Sequence, residues 1–282
     1  MLSVKRTQIT ISSVPLYVSL PLLKIEESLR YFIEIAYNGK NYHGWQVQPG
    51  SPSVQEVLEH TLSTVLRKDI GVTGAGRTDT GVHAKQLFAH FDHDDIEDTT
   101  KIVFRLNSHL PKDISVKEIV CVRDDAHARF DATEREYEYV ISLRKDPFQQ
   151  DYAFLIHHEP NIEKMNEAAN ILLEYKDFQC FSRNKTNVKT YHCDIKQARW
   201  IRKDNRLIFT ISADRFLRNM VRSVVGTLLE IGFEKISLAD FHDIIKSKDR
   251  SKAGTSAPAH GLYLTKVLYP GNIKIKKQEF PG

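Results

Sequence analysis

Hydrophobic and aromatic residues dominate Tyr31-Phe-Ile-Glu-Ile-Ala-Tyr37, a strand pattern, and Asn38-Gly39 behind it is a strong turn signal. The period then changes. Ser53-x-x-Glu56 has the form of a capping box, and Val54, Leu58, Leu62 and Val65 recur on one helical face, with Gln55 and Glu59 turned away. Gln86 to Asp92 predicts another strand. In the second half the clearest strand is Tyr137 to Leu143, where Tyr137, Tyr139, Ile141 and Leu143 share one side and Glu138, Val140 and Ser142 the other. Leu207 to Ile211 follows as a strand and leads into a long predicted helix, roughly Arg215 to Ile231. Its apolar face carries Met220, Val221, Val224, Val225, Leu228 and Leu229. Ser237-x-x-Asp240 caps a last helix through Phe241, Ile244 and Ile245. Strands and helices alternate without a βαβ rhythm, which predicts an α+β architecture. The weakest point for a domain boundary lies near Asp124 to Thr133, dividing the chain into residues 31–130 and 131–282.

Residues 1–30 differ in character. Lys5 and Arg6 precede a mildly apolar run, Ile11 to Leu23, broken by Ser12, Ser13, Pro15, Ser19 and Pro21. The run is too interrupted for a secretory signal and lacks a small-x-small cleavage site. The expectation is a poorly ordered extension or an upstream start that is not used. No apolar run approaches the length of a membrane span.

Composition narrows the class only slightly. A chain of 282 residues can bury a substantial core in one large or two modest domains. Forty basic against thirty-six acidic residues is too small an excess to signal nucleic acid, so any such binding needs its cations gathered on one face. Cys121, Cys180 and Cys193 lie far apart in no zinc-type spacing, which predicts reduced thiols and a cytoplasmic protein.

The candidate chemistry is concentrated in Gly74-Ala-Gly-Arg-Thr-Asp-Thr-Gly-Val-His-Ala84. Its three glycines permit positive φ and close approach to another molecule, and Arg77 and Asp79 sit inside that frame. An ordinary turn with Asp79 bonded to a backbone N–H is the plain alternative. A dinucleotide fingerprint would need glycine at position 79, and a Walker loop would need Gly-Lys-Ser/Thr where Gly81 is followed by Val82 and His83. His83, His90 and His93 with Asp92, Asp94 and Asp95 invite a metal reading. Positions 90 and 93 have opposite parity on a strand, however, so no metal site is assigned.

Two further groups of cations stand out. At about 100° per residue, Arg215, Arg218 and Arg222 fall along one border of the predicted helix. One arginine there suits a solvated flank, whereas three aligned ones suggest an anionic partner. Gly226 lies one turn beyond on the same border, where a missing side chain permits close approach. Lys246 to Lys252 adds a basic stretch in which Lys248, Arg250 and Lys252 are candidates for phosphate contacts.

The glycine-rich string resembles the signature of the tRNA pseudouridine synthase A family. The resemblance continues in chain order through Tyr42-His-Gly-Trp-Gln46, Asn107-Ser-His-Leu-Pro111, Ala128-Arg-Phe-Asp-Ala132, Arg135-Glu-Tyr-Glu-Tyr139, Phe216-Leu-Arg-Asn-Met-Val-Arg222 and Ala257-Pro-Ala-His-Gly-Leu-Tyr-Leu264. It implies the pseudouridine synthase fold, two sheet-and-helix domains with antiparallel or mixed sheets about an RNA-binding cleft. It implies a cofactor-free isomerase acting on uridines 38, 39 and 40 of the tRNA anticodon arm, and a homodimer. Asp79 would be the nucleophile, attacking sugar or base, and Arg222 its partner. Tyr137 would stack on the flipped uracil and assist proton removal at C5, and Arg77 would fill the gap left in the stack or grip the backbone there. Thr80 departs from the alanine frequent in the family. The alternatives are an RNA-binding protein without chemistry, in which Asp79 is dispensable, and a nucleotide- or metal-dependent enzyme.

Overall fold

The computed structural model describes residues 28–183 and 189–273, so most of the leading segment lies outside the described residues. The first strand, β1 (Leu29–Tyr37), begins two residues before Tyr31, inside the stretch expected to be an extension. Behind it come helix α1 (Val54–Leu66), β2 (Thr73–Gly74), β3 (His83–His93), α2 (Thr99–His109) and β4 (Ile114–Val122). The second half runs β5 (Glu134–Ser142), β6 (Phe154–Leu155), α3 (Ile162–Ile171), β7 (Ile195–Lys203), β8 (Arg206–Ala213), α4 (Met220–Gly232), α5 (Leu238–Ser247) and β9 (Leu262–Leu268).

These strands form one sheet in the order β4-β1-β3-β9-β5-β8-β7, with β2 beside β3 and β6 beside β5. Long antiparallel ladders build each half. The halves join where β9 returns to the middle, parallel to β3 through His83 and Tyr263 and through Ala84 and Leu264, and antiparallel to β5. Two cores follow from this. Tyr31, Ile33, Ile35, Leu58, Leu62, Leu87 and Leu106 belong to one, and Tyr139, Ile141, Phe209, Ile211, Val224, Leu228 and Phe241 to the other. Tyr137 packs against both. Loops at this seam reach residues of either half.

Local chemistry explains the helix ends. Ser53 Oγ accepts the Glu56 N–H, and the carbonyls of Gly44 and Trp45 take the N–H groups of Val54 and Gln55, so the first turn of α1 is satisfied from the preceding loop. Gln55, expected merely to face away from the core, bonds Glu59 and the Val72 carbonyl and accepts from Val47 N–H. At Ser237 the reciprocal box with Asp240 is complete. The turn expected at Asn38-Gly39 takes the form of a short 3-10 turn, Gly39–Asn41, capped by the Asn38 side chain.

One element differs from its sequence reading. The helix predicted from Arg215 starts at Met220, because Asn219 adopts the left-handed region with φ 65° and its amide bonds Ser223 and Ser256 Oγ. Asp214 Oδ1 meanwhile takes the N–H groups of both Asp194 and Arg215, fixing the entry as a loop. Arg215 and Arg218 therefore leave the helix, and Arg222 alone of the three arginines is on α4. The three-arginine border does not form.

The histidines of β3 serve backbone groups. His83 Nδ1 accepts the Gly39 N–H at 3.1 Å and its Nε2 lies 3.2 Å from the His260 carbonyl, while buried His90 accepts the Ala128 N–H at 3.1 Å. Burial, reinforced by Arg30 and His127 and opposed by Asp92 and Asp131, lowers His90 to about 4. The unfolded chain, with an ordinary histidine value of about 6.5, takes up the proton first. The contribution is therefore intact above that value and is lost as pH falls toward 4. Melting temperature should drop between pH 7 and 5 in the native protein, and thermal melts should show a shallower drop in His90→Asn.

Candidate active site

The glycine loop is held at both ends by the sheet. β2 pairs Gly74 with Ala89 of β3, and Ala75 N–H donates to the Phe88 carbonyl at 2.7 Å. Beyond it, Trp45 N–H bonds the Thr78 carbonyl, Gly81 N–H the Tyr42 carbonyl, and Thr78 Oγ1 lies 2.8 Å from the Tyr37 hydroxyl. Asp79 and Val82 close a turn by a 3.1 Å bond, with Gly81 at φ +76° in the place that a type II turn reserves for glycine. The Tyr42–Gln46 segment thus acts as a brace behind the loop, which presents Asp79 in one orientation.

Two guanidiniums face the Asp79 carboxylate from the second half. Arg218 Nε is 3.7 Å from Oδ1 and Arg222 Nη1 is 3.8 Å from Oδ2. Both are ion-pair distances and too long for hydrogen bonds, so the lone pairs of the carboxylate remain free for a substrate atom. Open to water as they are, such pairs add roughly 0–1 kcal/mol each to folding, which does not account for converging two cations on one acid. Arg222 is the better anchored. Its side chain is 21% exposed against 57% for Arg218, its Nε donates to the Ala257 carbonyl at 2.7 Å, and Ala257 N–H returns to the Arg222 carbonyl at 3.0 Å.

Gly226 makes that anchorage possible. A Cβ there would stand 1.8 Å from the Thr255 carbonyl oxygen, so α4 and the 255–257 segment touch backbone to backbone. The close approach expected at this glycine is realised against a loop of the same chain. Gly226→Ala should push Ala257 off Arg222 and reduce turnover by about tenfold, since misplacement on the ångström scale is costly to catalysis. Steady-state rates on tRNA with a parallel melt would check it.

Tyr137 lies between β8 and β9, paired with Ile211 and Leu264, and its ring meets Phe216 edge-on with centroids 5.2 Å apart. Burial pushes its hydroxyl up to about 12; Arg135 opposes the rise and Asp79 adds to it. The phenol is therefore neutral at ordinary pH and offers a ring face and an O–H, not a phenolate. Tyr137→Leu should cost at least about ten times more activity than Tyr137→Phe, because stacking on the ring survives only in the latter. Single-turnover rates at saturating tRNA would separate the two.

Arg135 had no role from its sequence pattern, yet it is the most heavily bonded side chain at the seam. Nη1 donates to the carbonyls of Ala132 and Asp214 at 2.8 and 2.7 Å, and Nη2 to those of Ala75 and Arg129 at 3.0 and 2.6 Å. One guanidinium thereby ties the aspartate loop, the 129–132 turn and the β8–α4 connection together. Phe216 likewise carries no signal of its own in the sequence, since no periodicity marks its contact with Tyr137.

The other candidate residues are dispersed. Arg77 is exposed on the loop, with no hydrogen-bond or ion-pair partner among the described residues. Arg215 is half-buried at the start of the α4 entry loop. Lys248 pairs with Asp177 at 2.7 Å, and Arg250 donates to the Ala253 carbonyl and Ser256 Oγ, so both are partly engaged in the fold. With Arg183 and Tyr191 they line a recess of about 400 Å³. Lys252 is exposed.

A mainly antiparallel sheet with five helices among the described residues, carrying an aspartate loop at its seam, has the pseudouridine synthase architecture. The family model described as tRNA pseudouridine synthase matches residues 34–131 and 168–270. A tRNA pseudouridine synthase A of Bacteroides thetaiotaomicron is 53% identical over 247 residues, covering 86% of this chain and 92% of the relative. The protein of that name from Bacteroides fragilis is 53% identical, with 86% and 98% covered, and one from Thermoanaerobacter pseudethanolicus 40% identical, with 84% and 98% covered. The chain belongs to the tRNA pseudouridine synthase family and is an isomerase whose substrate is tRNA. Among the described residues no helix is long and apolar enough to cross a membrane.

Proposed function

We propose that Asp79 is the nucleophile with which this enzyme converts uridines 38, 39 and 40 of the tRNA anticodon arm to pseudouridine. The reading is supported above all by the carboxylate that two guanidiniums face without capturing its lone pairs in hydrogen bonds. The reaction breaks the bond from N1 of uracil to C1′, forms one from C5 to C1′, and moves the C5 proton to the solvent while N1 gains one. A carboxylate suits this sequence because it attacks, at C1′ or at the base, and departs again. Arg222 orients it from α4. The neutral ring of Tyr137 stacks on the extruded uracil with Phe216 behind it, and Arg77 enters the space that the base leaves. A phenol of high pKa removes the C5 proton poorly, so Tyr137 serves as a positioning surface that can pass a proton only when its own leaves.

Arg215, Arg218, Lys248, Arg250 and Lys252 bind phosphates of the tRNA, Arg218 doing so beside the reacting group. Residues 31–130 and 131–282 act as two domains about the cleft, in a cytoplasmic homodimer. Purified protein incubated with a tRNA transcript should yield pseudouridine at positions 38 to 40, in EDTA and without nucleotide. Replacing those uridines by cytidine should abolish the product. Product at other positions only would overturn the assignment of the anticodon arm, and binding without product would favour the non-catalytic reading.

A further inference from the structure

The turn at Ala128-Arg-Phe-Asp-Ala132 is not used by the mechanism above, and it is built to hold an aromatic ring in the open. Phe130 is 76% exposed. The turn beneath it is braced at every residue. His127 N–H donates to Asp131 Oδ2 at 2.8 Å and Asp131 N–H to the His127 carbonyl at 3.0 Å, while His127 Nδ1 accepts from the N–H groups of Arg129 and Phe130. Ala128 N–H bonds His90 and the Ala128 carbonyl accepts from Tyr269. A single exposed phenylalanine is ordinary, but these bonds hold the Phe130 ring in one placement, so a ligand would meet it preorganised.

The neighbours indicate what. His127 lies against one side of the Phe130 ring, 4.2 Å between centroids, and the Arg129 guanidinium is 5.8 Å from the ring centre. Among the described residues no carboxylate is within ion-pair distance of Arg129, and the nearest acid in sequence, Asp131, is turned into the backbone. A π face beside an unpaired cation complements a nucleotide, base to ring and phosphate to guanidinium. The turn is also tied to the aspartate loop, because Arg135 Nη2 bonds both the Arg129 carbonyl and that of Ala75, four residues before Asp79. Phe104 and Phe148 are as exposed, but neither has a cation over its ring or such a tie.

We propose that Phe130 and Arg129 form a second RNA contact, on which an unpaired base of the tRNA strand flanking the target uridine stacks while Arg129 takes a phosphate. This rests on the reading that tRNA docks over Asp79. It gives the enzyme a way to hold the distorted strand while the target nucleotide is out of its stack, since a displaced neighbour finds a replacement surface.

The test uses the intact protein with Phe130→Ala, Phe130→Trp and Arg129→Gln and an unmodified tRNA transcript. Phe130→Ala should weaken tRNA binding by about tenfold, and Phe130→Trp should restore it. Both native tryptophans, Trp45 and Trp200, are buried at 1% exposure, so emission from position 130 is distinguishable, and tRNA should quench it. Arg129→Gln should lower the slope of log Kd against log salt by about one. Binding of Phe130→Ala within about twofold of native, with no quenching in Phe130→Trp, would overturn the proposal. So would a change in sedimentation of Phe130→Ala with tRNA affinity intact, which would make this face an interface between copies of the chain. Mapping of pseudouridine made by the native protein reports separately on the reading at Asp79, because quenching at position 130 needs binding and not turnover.

Discussion

Asp79→Asn should lose pseudouridine formation by about 10⁴-fold or more while still binding tRNA, the behaviour of an enzyme stripped of its nucleophile. The substitution keeps the volume of the side chain and every backbone bond of the turn, from the Val82 N–H to the Asp79 carbonyl to the bond from Gly81 N–H to Tyr42. What it removes is the charge and the oxygen proposed as the nucleophile. Arg222 stays tethered to the Ala257 carbonyl, so its position should survive, whereas the exposed Arg218 loses the one carboxylate it pairs with among the described residues. Binding of a polyanion should therefore be unchanged or slightly tighter, with a steeper salt slope. Single-turnover mapping of pseudouridine together with filter binding measures both. Turnover above about 1% of native, where loss of a nucleophile costs orders of magnitude more, would remove Asp79 from the chemistry. Asp79→Glu isolates placement from charge. It retains the carboxylate but sets it one methylene further out, into Arg218 and Arg222, and should be almost as inactive.

The aspartate loop could be read from sequence because its chemistry and its backbone geometry are both local. Glycine spacing announced a turn, and Gly81 adopts the positive φ that such a turn demands. Strand periodicity likewise fixed the face of Tyr137, since alternate side chains of β5 point one way regardless of partner. The partners of Asp79 were less legible. Helical periodicity extrapolated α4 back to Arg215, but a single left-handed residue, Asn219, makes the helix begin only at Met220 and leaves Arg218 in the entry loop, facing the carboxylate. Amide bonds to Ser223 and Ser256 secure that conformation, and Ser256 is a contact 37 residues away that no local pattern contains. The same limit hid Arg135. Its four acceptors are all backbone carbonyls, which every residue possesses, so no side-chain complementarity marks them. Nor did periodicity foresee that β9 would run from the far end of the chain into the middle of one sheet, parallel to β3 over two residue pairs.

Arg135 carries the other large expected effect. Its guanidinium is substantially buried with four carbonyls around it and, among the described residues, no carboxylate in hydrogen-bond contact, and burial lowers its affinity for the proton. Replacement by Gln leaves a fork of fewer donors, so several inward carbonyls lose their partners at roughly 1–3 kcal/mol for each one left unsatisfied in a closed site. Fold stability should fall, but the loop has other fastenings. Ala75 N–H still bonds Phe88 and Trp45 N–H still bonds Thr78. The larger loss should be in rate. With the tie from Ala75 to Asp214 gone, the aspartate loop and the Arg218 loop can shift relative to each other, and an ångström of misplacement costs about 10²-fold. Arg135→Gln should therefore reduce the single-turnover rate by about 10²-fold at saturating tRNA with affinity changed by less than about fivefold. Arg135→Lys keeps the charge but presents a compact point in place of a planar fork, and cannot span acceptors on three segments. It should recover melting temperature more fully than rate. A variant that melts early yet turns over normally below its transition would show that Arg135 holds the fold together without placing Asp79.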